Sequence, residues 1–256
     1  MRLAVIQVGN DPASSVYVNN KKKVCEYIGI ESEIYQLDDG GPKIVVKEAL
    51  VNLIETLNKD ASVHGILVQL PLPKFIDENE IINKIDPKKD VDGFHESNVG
   101  KLMIGADGFV PCTARGIIEL LKANDVEIDG KDCVVVGRSN IVGKPVAMEL
   151  LRENGTVTIC HSKTKGLKYI CRDADILICA IGKERFFDRR YISPGTVVVD
   201  VGIHRDAIGK LHGDVDYEDV LDIVGAITPV PGGVGPMTVA MLMKNVVLAA
   251  EKQMEE

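Results

Sequence analysis

Tyr17 and Lys21 lie four residues apart in a stretch with helical spacing, so they share one face. They follow a short apolar strand and its Gly9-Asn10-Asp11-Pro12 turn. In open α/β sheets the crevice at the strand C-termini is the usual ligand site. Gln69 closes a later strand at the same edge, and Asp90 and Asp92 sit in a long connection after it. A lysine, a tyrosine, a glutamine and a carboxylate converging on one crevice suit an uncharged or cationic heterocycle better than a polyphosphate. Each residue alone has a plainer reading. Lys21 belongs to the run Lys21-Lys22-Lys23, and a lysine run is normally a solvated face. Gln69 could simply end a strand, and the two aspartates could be turn residues.

A second constellation is Val134-Val-Val-Gly137-Arg138-Ser139-Asn140-Ile-Val-Gly143-Lys-Pro145. Strand, glycine turn and helix start is an arrangement that holds phosphate, with N–H groups at the helix N-terminus pointing at the anion. Arg138 adds a planar fork suited to a phosphate. The reading is a dinucleotide site with a preference for the extra phosphate of NADP. Gly137 and Gly143 are six apart, so this is not the G-x-G-x-x-G fingerprint, and an ordinary tight strand-to-helix turn competes on equal terms.

These residues need a scaffold, and the hydrophobic pattern supplies one. Strands are expected at 3–8, 31–37 and 65–70, with helices after the first turn, at 45–57 and at 79–85. Ser14 or Ser15 is expected to cap the first helix and Gly29 to end it. Residues 86–111 read as mostly loop, long enough to suggest function. Thr113 is expected to cap a helix running to 122. A second α/β series then follows, with strands at 132–136, 156–160, 176–180 and 196–201 and helices at 143–153 and 166–171. The expected fold class is α/β: two α/β domains flanking a cleft, the second a Rossmann-like NADP-binding domain. The first domain covers 1–113 and is completed by a C-terminal helix at 237–256. The second covers 114–224, and 225–256 returns to the first.

Composition narrows the function. The 256 residues are 45% hydrophobic and 27% charged, as in a globular protein. A formal charge of −8 argues against nucleic acid as a partner. The six cysteines form no C-x-x-C pair, which points to a reduced, cytoplasmic protein without a metal site. The first eight residues read as a strand rather than a leader. No apolar run approaches the roughly 20 residues of a membrane span, so no membrane partner is expected.

Seven segments then stand in one order: Ser15-Val-Tyr17-Val-Asn-Asn-Lys21-Lys-Lys-Val-Cys25, Gly65-Ile-Leu-Val-Gln69-Leu-Pro-Leu-Pro73, Lys89-Asp-Val-Asp92-Gly-Phe-His95, Pro111-Cys-Thr113, the Gly137 to Pro145 turn, Cys160-His-Ser-Lys-Thr164 and Thr228-Pro-Val-Pro-Gly-Gly-Val-Gly-Pro-Met-Thr238. Together they resemble the bifunctional methylenetetrahydrofolate dehydrogenase/methenyltetrahydrofolate cyclohydrolase family over nearly the whole chain. The resemblance implies that Lys21 is the central catalytic residue, with Tyr17 beside it, Gln69 tuning the lysine and Asp92 holding the pterin amino group. The substrate site would also include Leu70 and, in the loop that closes over folate, Pro229, Pro231, Gly232 and Gly233. Gly137, Arg138, Ser139 and Ser162 would bind NADP, Arg138 and Ser162 near its 2′-phosphate. Ile203 would offer a backbone contact to the nicotinamide.

The implied reactions are oxidation of 5,10-methylenetetrahydrofolate with NADP⁺ and hydrolysis of the methenyl product to 10-formyltetrahydrofolate. Hydrolysis needs a proton acceptor for water. Lys21 serves only as the free amine, a form favoured by a desolvating pocket and a cationic substrate. A homodimer through the second domain is expected, with tetrahydrofolate derivatives as the small-molecule partners. The chain departs from the family pattern at Glu96 and Ala114, where proline is usual, and at Gly182-Lys-Glu184-Arg185-Phe, where Gly-Lys-Pro is. Relatives usually begin some thirty residues earlier, so the start is expected to be naturally short or missing. The alternatives are an NAD(P)-dependent dehydrogenase of another one-carbon carrier or small metabolite, and a catalytically weak NADP/folate-binding regulatory module.

Overall fold

Strands buried on both faces read as near-continuous apolar runs, and the chain builds two parallel sheets around such runs. The structure, a computed structural model, describes residues 1–255, and the side chains of residues 12–17 lie outside the description. Two compact units form: Met1–Val110 with Leu242–Glu256, and Pro111–Met241.

The first unit runs β1 (Arg2–Val8), α1 (Pro12–Ile28), β2 (Glu31–Leu37), α2 (Lys43–Lys59), β3 (Gly65–Val68), α3 (Glu78–Ile82) and α4 (Glu96–Met103). Its three strands pair in parallel in the order β2-β1-β3. Ala4, Ile6 and Val8 face one side of the sheet and pack with Ile66, Val68 and the α2 residues Val46, Leu50, Ile54 and Leu57. Leu3, Val5 and Leu67, offset by one, are buried as well. Lys89 closes the far end of α2. Its buried ammonium donates to the carbonyls of Leu57, Asn58 and Asp60 at 3.1, 2.8 and 2.8 Å, around the C-terminal end of the helix. Residues 86–111 are not the open connection expected, because α4 occupies their middle.

The second unit runs α5 (Cys112–Ala123), β4 (Asp132–Val136), α6 (Gly143–Arg152), β5 (Thr156–Cys160), α7 (Leu167–Arg172), β6 (Ile176–Cys179), β7 (Val197–Asp200), the hairpin β8 (His204–Arg205) and β9 (Leu211–His212), α8 (Tyr217–Val220), β10 (Ala226–Ile227) and the first turns of α9 (Val234–Met254), whose residues from Leu242 on belong to the first unit. Five parallel strands stand in the order β10-β7-β6-β4-β5. Counted within the unit this is 2-1-3-4-5, a doubly wound order whose switch point lies between β4 and β6. Cys133, Val135, Ile176, Ile178 and Val199 pack against α5 and α6 on one face. Val134, Val136, Leu177, Cys179 and Val198 pack on the other with Cys171 and Phe187. Thr113 is not the cap of α5: Pro111 holds that position without a side-chain bond, and Thr113 lies inside the helix.

Residues 225–241, expected to return with the first domain, belong to the second unit, and the chain re-enters the first only at Leu242. The reason is local. β10 pairs with β7, and Thr228 N–H donates to the Val198 carbonyl at 3.1 Å, which extends the five-stranded sheet. By length and composition α9 is apolar enough to cross a membrane, contrary to the expectation that no such segment exists. Here Leu242, Met243, Val246, Ala249 and Ala250 are buried. Asn245 donates to the carbonyls of Val91 and Val110, and Gln253 to that of His64, as a helix in a protein core would.

Candidate active site

Pro12 opens α1 at a position where a missing N–H costs nothing. Gly29 ends it at φ +78°, while Ile30 N–H donates to Cys25 O at 2.9 Å and Gly29 N–H to Glu26 O at 3.4 Å. That paired closure needs a left-handed residue after the helix, which glycine supplies. Along α1, Val18 and Cys25 are buried, and Lys21, three after one and four before the other, lies on their stripe and is half-buried. Lys22 and Lys23 are exposed. The lysine run is therefore a solvated face at two of its three members.

The Lys21 ammonium donates to Gln69 Oε1 at 3.1 Å. Gln69 directly follows β3, and its N–H donates to the Ile6 carbonyl at 2.8 Å. Its side-chain Nε2 donates to Leu70 O at 2.6 Å, so the amide oxygen is the end turned to the lysine. The Leu70–Pro71 peptide is cis.

Asp90 makes an isolated parallel bridge with Ile66, which carries the following residues toward the edge where Gln69 stands. The Asp90 carboxylate is buried and accepts from Asn98 Nδ2 at 2.8 Å, His95 N–H at 2.9 Å and Phe94 N–H at 3.3 Å. Burial pushes its pKa up while these donors oppose the shift. Asp90 thus shapes the loop, and Asp92, half-buried, stands in the turn that Gly93 N–H closes on Asp90 O at 3.1 Å. The side chain of Tyr17 lies outside the described residues, as do those of Ser14 and Ser15.

In the second unit the glycine turn sits at the switch point. Gly137 has φ +144°, and a Cβ there would lie 2.3 Å from the Ala180 carbonyl oxygen. A Cβ on Gly143 would lie 2.4 Å from the Gly137 carbonyl oxygen. Both glycines are required because main chain packs on main chain. Ser139 Oγ accepts from the N–H groups of Val142 and Gly143 at 3.2 and 3.3 Å. The first amides of α6 are therefore already capped, which corrects the expectation that they face a ligand. The N–H groups of Arg138 to Ile141 make no hydrogen bond among the described residues. The Ser139 hydroxyl keeps its own proton to donate.

Arg138 is exposed and its guanidinium has no partner among the described residues. Val136 pairs with Cys160 in register, and Gly137 N–H donates to Cys160 O at 2.9 Å. Arg138 and exposed Ser162 each lie two residues past that last register pair. An NAD site places a carboxylate past the second strand for the ribose hydroxyl, whereas an arginine accommodates the 2′-phosphate. Here His161, Ser162 and Lys163 follow β5. These residues fit a phosphorylated dinucleotide.

Two buried aspartates that the sequence reading did not single out brace this edge. Asp200 accepts from the N–H groups of Gly202, Asp214 and Val215 at 3.0, 2.8 and 2.9 Å. Burial outweighs these donors and raises its pKa to about 6. Asp214 accepts from three consecutive N–H groups, Ile181, Gly182 and Lys183, at 2.6, 3.0 and 2.8 Å. Ile203, 46% exposed, stands between β7 and the hairpin. The only sequence signals were Gly202 and Gly213, whose Cβ atoms would lie 2.4 Å from Asp214 N and 1.8 Å from Asp200 Oδ2.

The remaining candidates lie in the second unit's loop. Pro229, Pro231 and Gly232 are exposed, and Gly233 is buried with its would-be Cβ 2.6 Å from Pro229 O. Two of the three proline-to-other departures fall at helix starts. Glu96 is the first residue of α4, where a carboxylate suits the dipole, and Ala114 is buried in the first turn of α5. Arg185 holds φ +50°, with its N–H on Gly213 O at 3.0 Å. All six cysteines are free and buried, and the described residues contain no metal-binding cluster.

Comparison with known proteins gives two matching family models. Residues 1–92 match the tetrahydrofolate dehydrogenase/cyclohydrolase catalytic domain, and residues 111–254 match its NAD(P)-binding domain. The bifunctional protein FolD of Lachnoclostridium phytofermentans is 64% identical over 250 residues, covering 98% of this chain and 87% of that protein. The bifunctional methylenetetrahydrofolate dehydrogenase/cyclohydrolase of Campylobacter jejuni superposes with a TM-score of 0.94 at 50% identity, covering 98% of this chain and 88% of that one. The Trypanosoma brucei enzyme, solved with NADP cofactor and an inhibitor, superposes at 0.93 with 38% identity, covering 100% and 88%.

Proposed function

Because the chain belongs to the tetrahydrofolate dehydrogenase/cyclohydrolase family, we propose that the groups at its two sheet edges divide the two reactions in that name between them. The protein is an NADP-dependent methylenetetrahydrofolate dehydrogenase and methenyltetrahydrofolate cyclohydrolase of one-carbon metabolism. It converts 5,10-methylenetetrahydrofolate to the 5,10-methenyl cation and that cation to 10-formyltetrahydrofolate. Neither another one-carbon dehydrogenase nor a weak regulatory module is favoured by relatives of this identity.

The observation that carries the division of roles is the Lys21–Gln69 contact. It fixes an amine at the C-terminal edge of a parallel sheet through a neutral partner, which orients the amine without an opposing charge. Water adds to the methenyl carbon and Lys21 takes its proton. The C–N5 bond then breaks as the lysine returns that proton to N5, and the carbinol hydroxyl releases its remaining proton to water as its C–O bond becomes the formyl C=O on N10. Asp92, from its half-buried turn, accepts hydrogen bonds from the pterin amino group. Leu70 lines the same substrate site. Pro229, Pro231, Gly232 and Gly233 are the remaining folate-binding residues.

When bound, NADP⁺ supplies the hydride acceptor. The protein's part is to hold it. Arg138 and Ser162 take the 2′-phosphate, the free N–H groups of 138–141 and the Ser139 hydroxyl take phosphate oxygens, and the Ile203 backbone borders the nicotinamide. Gly137 lets the main chain approach closely. The enzyme works as a cytoplasmic homodimer on tetrahydrofolate derivatives.

A spectrophotometric assay tests the reading. Methylenetetrahydrofolate with NADP⁺ should yield reduced cofactor and methenyl absorbance, and the methenyl signal should then decay faster than in buffer. No turnover of the folate would overturn the assignment, and faster turnover with NAD⁺ would overturn the cofactor preference alone.

A further inference from the structure

The bracing of the second unit's edge reaches a histidine that neither reaction uses. His204 Nε2 lies 2.8 Å from Asp214 Oδ1. The same oxygen accepts from Lys183 N–H at 2.8 Å, so the ring and the peptide meet on one carboxylate atom. The same carboxylate holds the N–H groups of 181–183, which continue from β6 directly after Ala180. Ala180 O is the atom that Gly137 packs against at the switch point. His204 in turn opens β8 one residue past Ile203, and Gly202, on the other side, is tied to Asp200. Asp214 is itself fully buried and its own N–H is held by Asp200. One side-chain contact therefore joins the segment after β6 to the segment after β7, two walls of the edge at which a dinucleotide lies in a doubly wound sheet.

We propose that His204 and Asp214 are a positioning pair for the nicotinamide half of NADP, specific to the dehydrogenase reaction. The inference rests on the NADP-dependent reading above. The pair touches no reacting atom. Asp214 sets the wall at 181–183, and His204 anchors Ile203 to that wall, so the backbone beside the nicotinamide has one position. The adenine end is held elsewhere, by groups following β4 and β5. Hydrolysis draws on Lys21 and Gln69 of the first unit. Loosening the pair therefore affects one cofactor half and one of two reactions. Misplacing a reactant by about an ångström costs on the order of a hundredfold in rate, so a remote anchor can carry a large kinetic effect.

The test uses the intact enzyme with His204→Ala and His204→Gln, since glutamine can present an N–H at the position of Nε2. In His204→Ala, kcat of the dehydrogenase should fall about tenfold to a hundredfold and NADP⁺ binding should weaken. Binding of 2′,5′-ADP, which lacks the nicotinamide, should be unchanged, as should hydrolysis of methenyltetrahydrofolate without cofactor. His204→Gln should recover most of the lost rate. Wild-type dehydrogenase kinetics in His204→Ala would overturn the pair's role. Parallel losses of 2′,5′-ADP binding, hydrolysis and dehydrogenation would overturn it too, by marking the contact as general support. A wild-type enzyme that ignores NADP⁺ would sink the functional reading itself, and this inference with it.

Discussion

At the edge of the three-stranded sheet the groups able to do chemistry are side chains, Lys21 and Gln69, in direct contact at 3.1 Å. At the edge of the five-stranded sheet they are mainly N–H groups, held by carboxylates that are themselves out of reach. Asp200 and Asp214 together accept from six N–H groups and a histidine. The difference follows from the tasks. Moving a proton needs a group that exists in two protonation states, which a side chain provides and a peptide does not. Holding a long polyanion needs many fixed donors, which peptides provide once buried acceptors fix their direction. A site of the first kind should fail at one residue, and a site of the second kind should fail through its supports.

The largest effect tests the first half of that contrast. Lys21→Met keeps the apolar stem and removes the amine. Cyclohydrolase turnover should fall by about 10² to 10⁴, the usual contribution of a general base, while NADP⁺ affinity stays at the wild-type value. Hydrolysis at an undiminished rate would remove Lys21 from the mechanism. Equal losses in NADP⁺ binding would break the contrast, because the two edges would no longer be separable.

The supports of the second edge can be examined through Asp200. Its pKa in the folded protein is raised from 3.8 to about 6. A carboxyl raised on folding adds stability that is fully present below the unfolded value and is lost as pH rises through the folded one. Between pH 4 and 6 this group therefore makes the protein less stable as pH increases, by on the order of 3 kcal/mol in all. Asp188 and Asp206, lowered by Arg190 and His212 respectively, act in the opposite sense, so the bulk melting curve blends both signs. The side-chain carboxyl resonance of Asp200 separates them. Its titration midpoint should lie near 6, and a midpoint below 4 would show that the three N–H donors outweigh burial.

Arg138 bears on what the second edge selects. Its guanidinium is exposed and follows β4 by two residues, as Ser162 follows β5. A hydrogen bond to a charged group contributes about 1.5–3 kcal/mol, so Arg138→Ala should weaken NADP⁺ binding by about 10- to 100-fold. NAD⁺ binding should not change. Equal losses for both cofactors, measured by titration calorimetry, would move Arg138 from the 2′-phosphate to the shared part of the molecule.

The same contrast explains what could be read from the residues alone. Strands and long helices announce themselves by period, and β5 falls at 156–160 as the pattern suggests. Lys21 and Gln69 were visible because their chemistry is in their side chains. Asp200, Asp214 and His204 were not, since a carboxylate that orders peptides leaves no spacing rule, and in sequence it resembles any loop aspartate. α4, α8, β10 and the β8–β9 hairpin are two to eight residues long, too short for a period to repeat. The start of α9 was placed late because Gly235 and Pro236 read as loop, yet Pro236 lies in the first helical turn, where no intrahelical N–H is lost.

The smallest expected effect probes the one contact that joins side chain to scaffold at the first edge. Gln69 is held at both ends of its amide, with Nε2 on Leu70 O and Oε1 on the lysine, so it fixes where the amine stands but supplies no proton. Gln69→Ala removes one hydrogen bond from Lys21, a contribution of about 1 kcal/mol, or roughly fivefold in cyclohydrolase kcat. If Gln69 only orients the amine, the pH–rate profile should keep its shape while its height drops. A profile displaced along the pH axis would mean that the amide acts on the proton affinity of the lysine as well as on its direction. A loss as large as that of Lys21→Met would mean that the first edge, like the second, depends on its supports.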